Sequence, residues 1–270
     1  LKKSVEIKGY TGRRIDVPAK WNDIFTHFYY AANTGTDTIT QTLLPDMRSI
    51  LLFSFGNPLL TDHQSVLDNV SISAPIKKAL HYKMVPDTEM LVAHFKDDAL
   101  FRFFGKSVPE TPLFSNPDAL IGAQCFSQLH EQLKELHEPE TKINYLLNYA
   151  SAFLLDRKEE AGTILKANSS LFNPVKVIAQ KQGISERSVQ LHYKKYYGYS
   201  AKELARYQRF EKVMEAINDL LAKNEKINWF DLIDAFGYYD QSHLIADFKY
   251  YIGLSPVNYT RLQQEFCKAT

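Results

Sequence analysis

Histidines, cysteines and paired carboxylates are where a chain of 270 residues would show enzymatic or metal chemistry, and here their spacing offers little of it. His130 and His137 lie seven apart on a predicted helix, a poor metal spacing with no carboxylate placed to complete a ligand set, so both are expected on an exposed helical face. His27 and His94 fall within predicted strands. They could line a pocket, but they read better as core or edge histidines, and the His-x-His pairs of a metal-binding β-domain are missing. Cys125 is expected to pack as a small apolar side chain. With Cys267 it forms no metal or redox spacing, which suits a reducing compartment. Asp97-Asp98 and Glu159-Glu160 read as helix caps and solvated charges. There is no nucleophile–base pairing and no Gly-rich phosphate loop, so the expectation is a protein that is not an enzyme and holds no cofactor or metal.

The chemistry that remains comes from a degenerate repeat in the last hundred residues. In the first copy Gly183-Ile184-Ser185 leads to Tyr193-Lys194, then Gly198 and Ser200. In the second Gly237-Tyr238 leads to Phe248-Lys249, then Gly253 and Ser255-Pro256. An aromatic residue precedes a Gly by five positions, and a Ser follows that Gly by two, in both copies. Each copy reads as a helix-turn-helix. Val175, Ile178 and Ala179 form the apolar side of the first copy's leading helix. Gly183 supplies a left-handed turn residue, and Ser185 caps a helix whose Val189, Leu191 or His192, and Tyr193 face a core. In the second copy Phe230, Leu232 and Ile233 form the leading helix, Gly237 the turn, Asp240 the cap, and Leu244, Ile245 and Phe248 pack. Gly198 and Gly253 end the second helices. An amphipathic helix predicted from about Ala201 to Leu221 joins the units, with Leu204, Tyr207, Phe210, Met214, Ile217 and Leu221 on one stripe. About 20 residues at 1.5 Å each give roughly 30 Å, against about 34 Å for one turn of B-DNA. Such a spacer suits two reading helices in successive major grooves.

The string Gly237-Tyr238-Tyr239-Asp240-Gln241-Ser242-His243-Leu244, continued by Phe248-Lys249 and Gly253-Leu254-Ser255-Pro256, resembles the second helix-turn-helix signature of AraC/XylS-type transcriptional regulators. Ser185-Glu186-Arg187-Ser188-Val189, Tyr193-Lys194, Gly198 and Ser200 are similar to that family's first unit, and Arg209 sits where its linker helix usually carries an Arg. The resemblance implies sequence-specific binding of double-stranded DNA. Position by position, it implies that Glu186, Arg187, Gln190, Leu191, Lys194 and Lys195 face DNA in the first unit, and Gln241, Ser242, Ile245, Ala246 and Lys249 in the second. Arg187 is suited to a guanine edge and Gln190 or Gln241 to an adenine edge, each bidentate pair being worth about 1–3 kcal/mol of discrimination. The three lysines suit phosphates. The plain alternative at each position is a solvated helix face. Leu191 and Ala246 stand where the family often has Arg, Ala201 where it has Pro, and Ile233 where it has a small Ala.

Elements upstream must position these units. Up to about residue 95 short β-branched or aromatic runs recur at 25–30, 38–43, 49–55, 70–73 and 90–95, separated by turn residues at 33–35, 45–46, 56–58 and 86–87. Asp97 or Asp98 then caps a short helix through Leu100, Phe103 and Phe104, ended by Gly105. Asn116-Pro117 opens a helical segment carrying Leu120, Phe126, Leu129, Leu133 and Leu136, which Pro139 closes, and a further helix carries Ile143, Leu146, Leu147, Tyr149 and Leu154. From Asn173-Pro174 onward the period is helical throughout.

The predicted architecture is therefore multi-domain α+β. A β-rich barrel or sandwich at 1–112 serves sensing or dimerisation, a helical connector spans 113–170, and an all-α double helix-turn-helix domain spans 171–266. Leu44-Pro45-Asp46 before an apolar strand resembles the cupin-like β-domain found ahead of some AraC-type modules. Net charge is +1, so any basic surface must be local. The longest apolar run, Ile50-Leu51-Leu52-Phe53, is far too short to span a bilayer, and a cytoplasmic location is expected. Beside duplex DNA, the partners admitted are RNA polymerase, a small-molecule effector and a second copy of the chain. The rival readings are a protein-interaction module with a degenerate helix-turn-helix fold and, less favoured, an enzyme built on the β domain.

Overall fold

The computed structural model describes residues 8–62, 66–110, 113–168 and 174–268. Asn173, the predicted domain limits at 112 and 170–171, and the side chain of Cys267 lie outside what is described. The strands are β1 Tyr10–Ile15, β2 Phe25–Asn33, β3 Ile39–Leu43, β4 Ile50–Gly56, β5 Leu59–Thr61, β6 Val66–Leu67, β7 Val70–Ser73, β8 Leu80–Met84, β9 Thr88–Phe95 and β10 Phe114–Ser115. The helices are α1 Ala99–Phe104, α2 Pro117–Ile121, α3 Cys125–Lys134, α4 Pro139–Ala150, α5 Glu159–Asn168, α6 Pro174–Gln182, α7 Glu186–Tyr197, α8 Ala201–Ala222, α9 Trp229–Ala235, α10 Gln241–Ile252 and α11 Pro256–Lys268. A β-rich N-terminal part thus precedes a helical C-terminal part, as the change of period predicts.

Two antiparallel sheets form the N-terminal part: a six-stranded sheet in the order β1-β2-β9-β4-β7-β10 and a four-stranded one in the order β3-β8-β5-β6. Strands at the centre of the larger sheet are apolar on both faces because both faces are covered. Along β4 and β9, Ile50, Leu52, Met90 and Val92 join Leu59, Leu67 and Met84 in one core cluster. Their neighbours Leu51, Phe53, Leu91 and Ala93 point the other way, into a second cluster with Leu129, Leu133, Ile143, Leu146 and Leu147 of α3 and α4. A strand's period of two separates these sets. The unbroken run Ile50–Phe53 is therefore a strand buried on both sides.

Two contacts fasten the helical layer to that sheet. Lys142 is 2% exposed, and its Nζ donates to the Leu133 carbonyl at 2.9 Å, pairs with Glu89 at 3.3 Å, and lies 4.0 Å from the Phe55 ring centroid. His130 Nε2 lies 2.8 Å from the Ser54 carbonyl, with its ring stacked on Phe55. That corrects the expectation of an exposed His130: α3 lies flat on the sheet and turns this side chain inward.

Three further expectations change. Residues 117–136 form two helices, because Gly122 takes a positive φ of 70° and ends α2, while Pro139 opens α4 at its first turn instead of closing the helix before it. Asp98 precedes α1 but makes no cap bond. Its buried carboxylate accepts from Arg157 Nε at 2.9 Å instead. His27 and His94, by contrast, are the core or edge strand histidines expected: they face each other across β2 and β9 with ring centroids 4.0 Å apart, and His94 Nδ1 lies 3.1 Å from Asp46.

The chain divides into two compact units: one comprises 6–76 and 80–201, the other 77–79 and 202 onward. α7 packs within the first of these units. Phe101 of α1 meets Tyr196 edge-on at 4.8 Å, Tyr197 Oη donates to the Ala161 carbonyl at 2.8 Å, and Ser107 Oγ donates to the Lys195 carbonyl at 2.8 Å. No described helix is long and apolar enough to cross a membrane.

Candidate nucleic-acid interface

Both copies of the repeat are helix-turn-helix units built by the same local chemistry. In the first, α6 buries Val175, Ile178 and Ala179, Gly183 turns the chain at φ 65°, and Ser185 Oγ accepts from the Ser188 amide at 3.1 Å to start α7. In the second, Asn228 caps α9, Gly237 turns at φ 67°, and Asp240 Oδ1 accepts from the His243 amide at 2.8 Å to start α10. Gly198 and Gly253 follow α7 and α10 at φ 76° and 74°, left-handed positions that most side chains resist. The Ser185 and Asp240 caps and the four glycine positions are where the sequence places them.

Buried faces fix which faces remain. Val189, Tyr193, Tyr196 and Tyr197 are buried on α7, and Leu244, Asp247, Phe248, Tyr251 and Ile252 on α10. On α7 the opposite row holds Glu186, Arg187, Leu191 and Lys194, all exposed, with Gln190 half-buried at its edge. Arg187, Gln190, Leu191 and Lys194 follow the spacing i, i+3, i+4, i+7 of a single helix face. Leu191, one of the alternatives for the α7 core, is on this face instead. Lys194 Nζ pairs with Glu110 at 3.0 Å, an exposed contact of small worth in water. Lys195 stands apart from the row, its Nζ 5.0 Å from the Tyr196 ring and 5.6 Å from Phe101. On α10, Gln241, Ser242, Ala246 and Lys249 are exposed and Ile245 is half-buried. Each helix thus offers amide, hydroxyl or guanidinium groups along one side and a lysine in its last turn. Such groups match base edges and phosphates.

The residue that sequence reasoning missed is Asp247. It sits in the middle of the buried face of α10, fully enclosed, and accepts from Arg206 Nε at 2.7 Å, Arg209 Nη2 at 3.2 Å and Tyr238 Oη at 3.0 Å. Arg209 also reaches His243 Nε2 at 2.9 Å and lies over the Tyr238 ring, while Arg206 lies over Tyr250. Two arginines of α8 and one tyrosine of the turn therefore hold α10 in place through a single carboxylate. Burial drives the Tyr238 hydroxyl above its usual range, and Asp247 beside it acts in the same direction. Spacing carries a signal for this: Asp247 is three residues after Leu244 and four before Tyr251, on the apolar stripe where a lone carboxylate needs partners.

Aromatic side chains flank α10 in a way the periodicity did not predict. Phe230, expected to pack with Leu232 and Ile233, is 77% exposed, and Tyr239, just before the α10 cap, is 92% exposed. α9 has seven residues and buries one stripe, which Leu232 and Ile233 fill. Among the described residues no group of three or more His, Cys, Asp or Glu side chains could hold a metal ion.

No protein-family model matches the chain, and no curated protein matches it. Solved structures do resemble it. ToxT from Vibrio cholerae aligns over 93% of this chain and 98% of its own at 10% identity and a TM-score of 0.39. The AraC-like transcriptional activator CuxR aligns over 69% and 80% at 10% identity and a TM-score of 0.23. An RmlC-like cupin protein from Desulfovibrio desulfuricans aligns over 35% and 94% at 13% identity and a TM-score of 0.24. The chain is thus similar to ToxT and to an AraC-like activator, at a distance where its function has to be read from its own residues.

Proposed function

We propose that this protein is a sequence-specific DNA-binding transcriptional regulator of the AraC/XylS type, with α7 and α10 as its reading helices. One observation carries the reading. A repeated helix-turn-helix presents, on the second helix of each copy, an exposed row of groups suited to bases and phosphates opposite a buried aromatic face. The two copies are joined by α8, a single helix of 22 residues. In this reading 171–266 binds a promoter, 1–112 senses a small molecule or mediates dimerisation, and 113–170 couples them, in the cytoplasm and within reach of RNA polymerase.

Selection of bound fragments from random duplex DNA by the full chain tests the reading, followed by titration of one selected site against salt. A recurrent motif is expected, with affinity falling steeply as salt rises. Absence of salt-dependent duplex binding would remove the proposal. The second reading, a protein-interaction module, is favoured by exposed Phe230, Tyr239 and Leu191, apolar groups beside or on the reading faces. It predicts a protein partner and no recurrent DNA motif.

A further inference from the structure

The helical layer on the outer face of the six-stranded sheet is not closed everywhere. A cavity of about 270 Å³ lies there, lined by Phe25 and Phe95 of the sheet and by Phe103, Phe104, Phe126 and Phe153 on the helical side. It is separate from the space between the two sheets, which Met84, Met90 and their neighbours fill. No charged side chain lines it. The Tyr149 hydroxyl at its wall already donates to the Cys125 carbonyl at 3.3 Å. Exposed Ile121, Ala123 and Phe153 place its mouth at the surface. An apolar cavity of roughly 150 Å³ accepts benzene, so this one has room for about two rings or ten carbons. A carboxylate or ammonium entering it would lose its hydration with no opposite charge to meet.

One short helix separates the cavity from a reading helix. Phe103 and Phe104 of α1 form cavity wall, while Phe101 of the same helix packs edge-on against Tyr196 of α7, all within one compact unit. α1 has six residues, with Asp98 at its start held by Arg157 and Gly105 at its end. A body six residues long shifts as a whole when one side is pushed.

We propose that this cavity binds an uncharged, largely aromatic small molecule, and that occupancy is relayed through α1 to α7. The relay rests on the DNA-binding reading; the cavity does not. Calorimetry on the full chain tests the site with 4-butylphenol and its charged counterpart 4-butylbenzoate. The phenol is expected to bind saturably at one site and the benzoate at least ten-fold more weakly. Ala150→Phe fills the cavity from its buried wall, and Ala123→Trp blocks it from an exposed position that leaves the fold intact. Each is expected to weaken phenol binding at least ten-fold. Saturating phenol should also change affinity for a selected DNA site at least three-fold in the parent chain and in neither variant. Saturable binding lost in the variants but without effect on DNA affinity keeps the site and overturns the relay. Failure to bind any DNA overturns the regulator reading and the relay together, and leaves the site standing. Equal affinity for the benzoate, phenol binding untouched by both variants, or no phenol binding with the variants shifting self-association instead, overturns the cavity as a ligand site.

Discussion

Replacing Asp247 by Ala removes the one acceptor that gathers Arg206, Arg209 and Tyr238. Breaking a buried ion pair from one side costs about 3–5 kcal/mol when the partner is left without solvent. Here the partners are not all trapped: the Arg206 and Arg209 side chains are 37% and 26% exposed, so water recovers much of their charge. Tyr238 is 5% exposed, and its hydroxyl loses its acceptor at a cost of about 1–3 kcal/mol. Together these give an expected loss of about 2–4 kcal/mol, confined to the unit that comprises 77–79 and 202 onward. The chain has two tryptophans, and they report separately: Trp21 sits in the core beneath the helical layer and Trp229 opens α9. In a Trp21→Phe background, urea unfolding followed at Trp229 should show its midpoint drop by about 2 M or more, given a slope near 1 kcal/mol/M for a unit of this size. Asp219→Ala, an exposed carboxylate of α8, should move it by less than about 0.5 kcal/mol. A loss below about 1 kcal/mol for Asp247→Ala would mean that the carboxylate clamps nothing, and α10 would need another explanation for its placement.

The matched glycines should respond unequally to Ala. Gly198 has φ 76° and a Cβ there would meet Pro75 at 2.8 Å, so Gly198→Ala should cost about 2–4 kcal/mol at Trp21. Gly253, at φ 74° with nothing within 4 Å, should cost about 1–2 kcal/mol at Trp229. Burial, with His94 and Arg14 nearby, holds His27 down at about 3, against opposition from Asp46. The unfolded chain therefore takes up this proton first, and stability is full above about pH 6.5 and falls toward pH 3 by up to about 1.4 kcal/mol per unit. In His27→Gln that slope should be shallower between pH 6.5 and 4 by denaturant titration. If binding follows the proposed mode, Arg187→Ala should relax preference at one base pair by about 1–3 kcal/mol, whereas Lys249→Ala should weaken all sequences and lower the salt slope by about 1. Phe101→Ala should cost about 3–5 kcal/mol at Trp21 and blunt the base preference due to α7 while sparing that due to α10, as a partial-randomisation binding series would read out.

What could be read from the sequence is local in origin. Ser185 and Asp240 act on amides three residues away, and Gly183, Gly198, Gly237 and Gly253 act on their own φ, so capping and turn chemistry located α7 and α10. The strand at Ile50–Phe53 was legible because a run apolar on both faces needs cover on both. Less legible were β1 and β8, with polar residues such as Arg13, Arg14, His81 and Lys83, whose pairing with β2 and β3 supplies what their composition lacks. His130 illustrates the other limit. Its place four residues after Phe126 and three before Leu133 puts it on the apolar stripe of α3, but the Ser54 carbonyl and Phe55 ring that receive it are 76 and 75 positions away. Phe230 fails in the opposite direction, apolar but left outside because a helix of seven residues has one inward stripe.

The second helices of the two copies, α7 and α10, look alike from outside and are held by unlike means. α10 depends on a charged hub: one carboxylate, two arginines of α8 and a tyrosine hydroxyl, all drawn from its own unit. α7 depends on aromatic and backbone contacts to α1, to Ser107 and to Ala161 in the β-rich unit. Buried charge clusters are intolerant of partial rearrangement, since each displaced donor must find another acceptor, whereas aromatic packing carries no such directional demand and passes strain from one close-packed side chain to the next. Whatever alters the β-rich unit therefore acts first on α7, and α10 keeps its geometry until Asp247 is disturbed. If α7 and α10 read DNA as proposed, a ligand in the β-rich unit should therefore change base preference at α7 while leaving that at α10 unchanged, and equal loss at both would refute this division of labour.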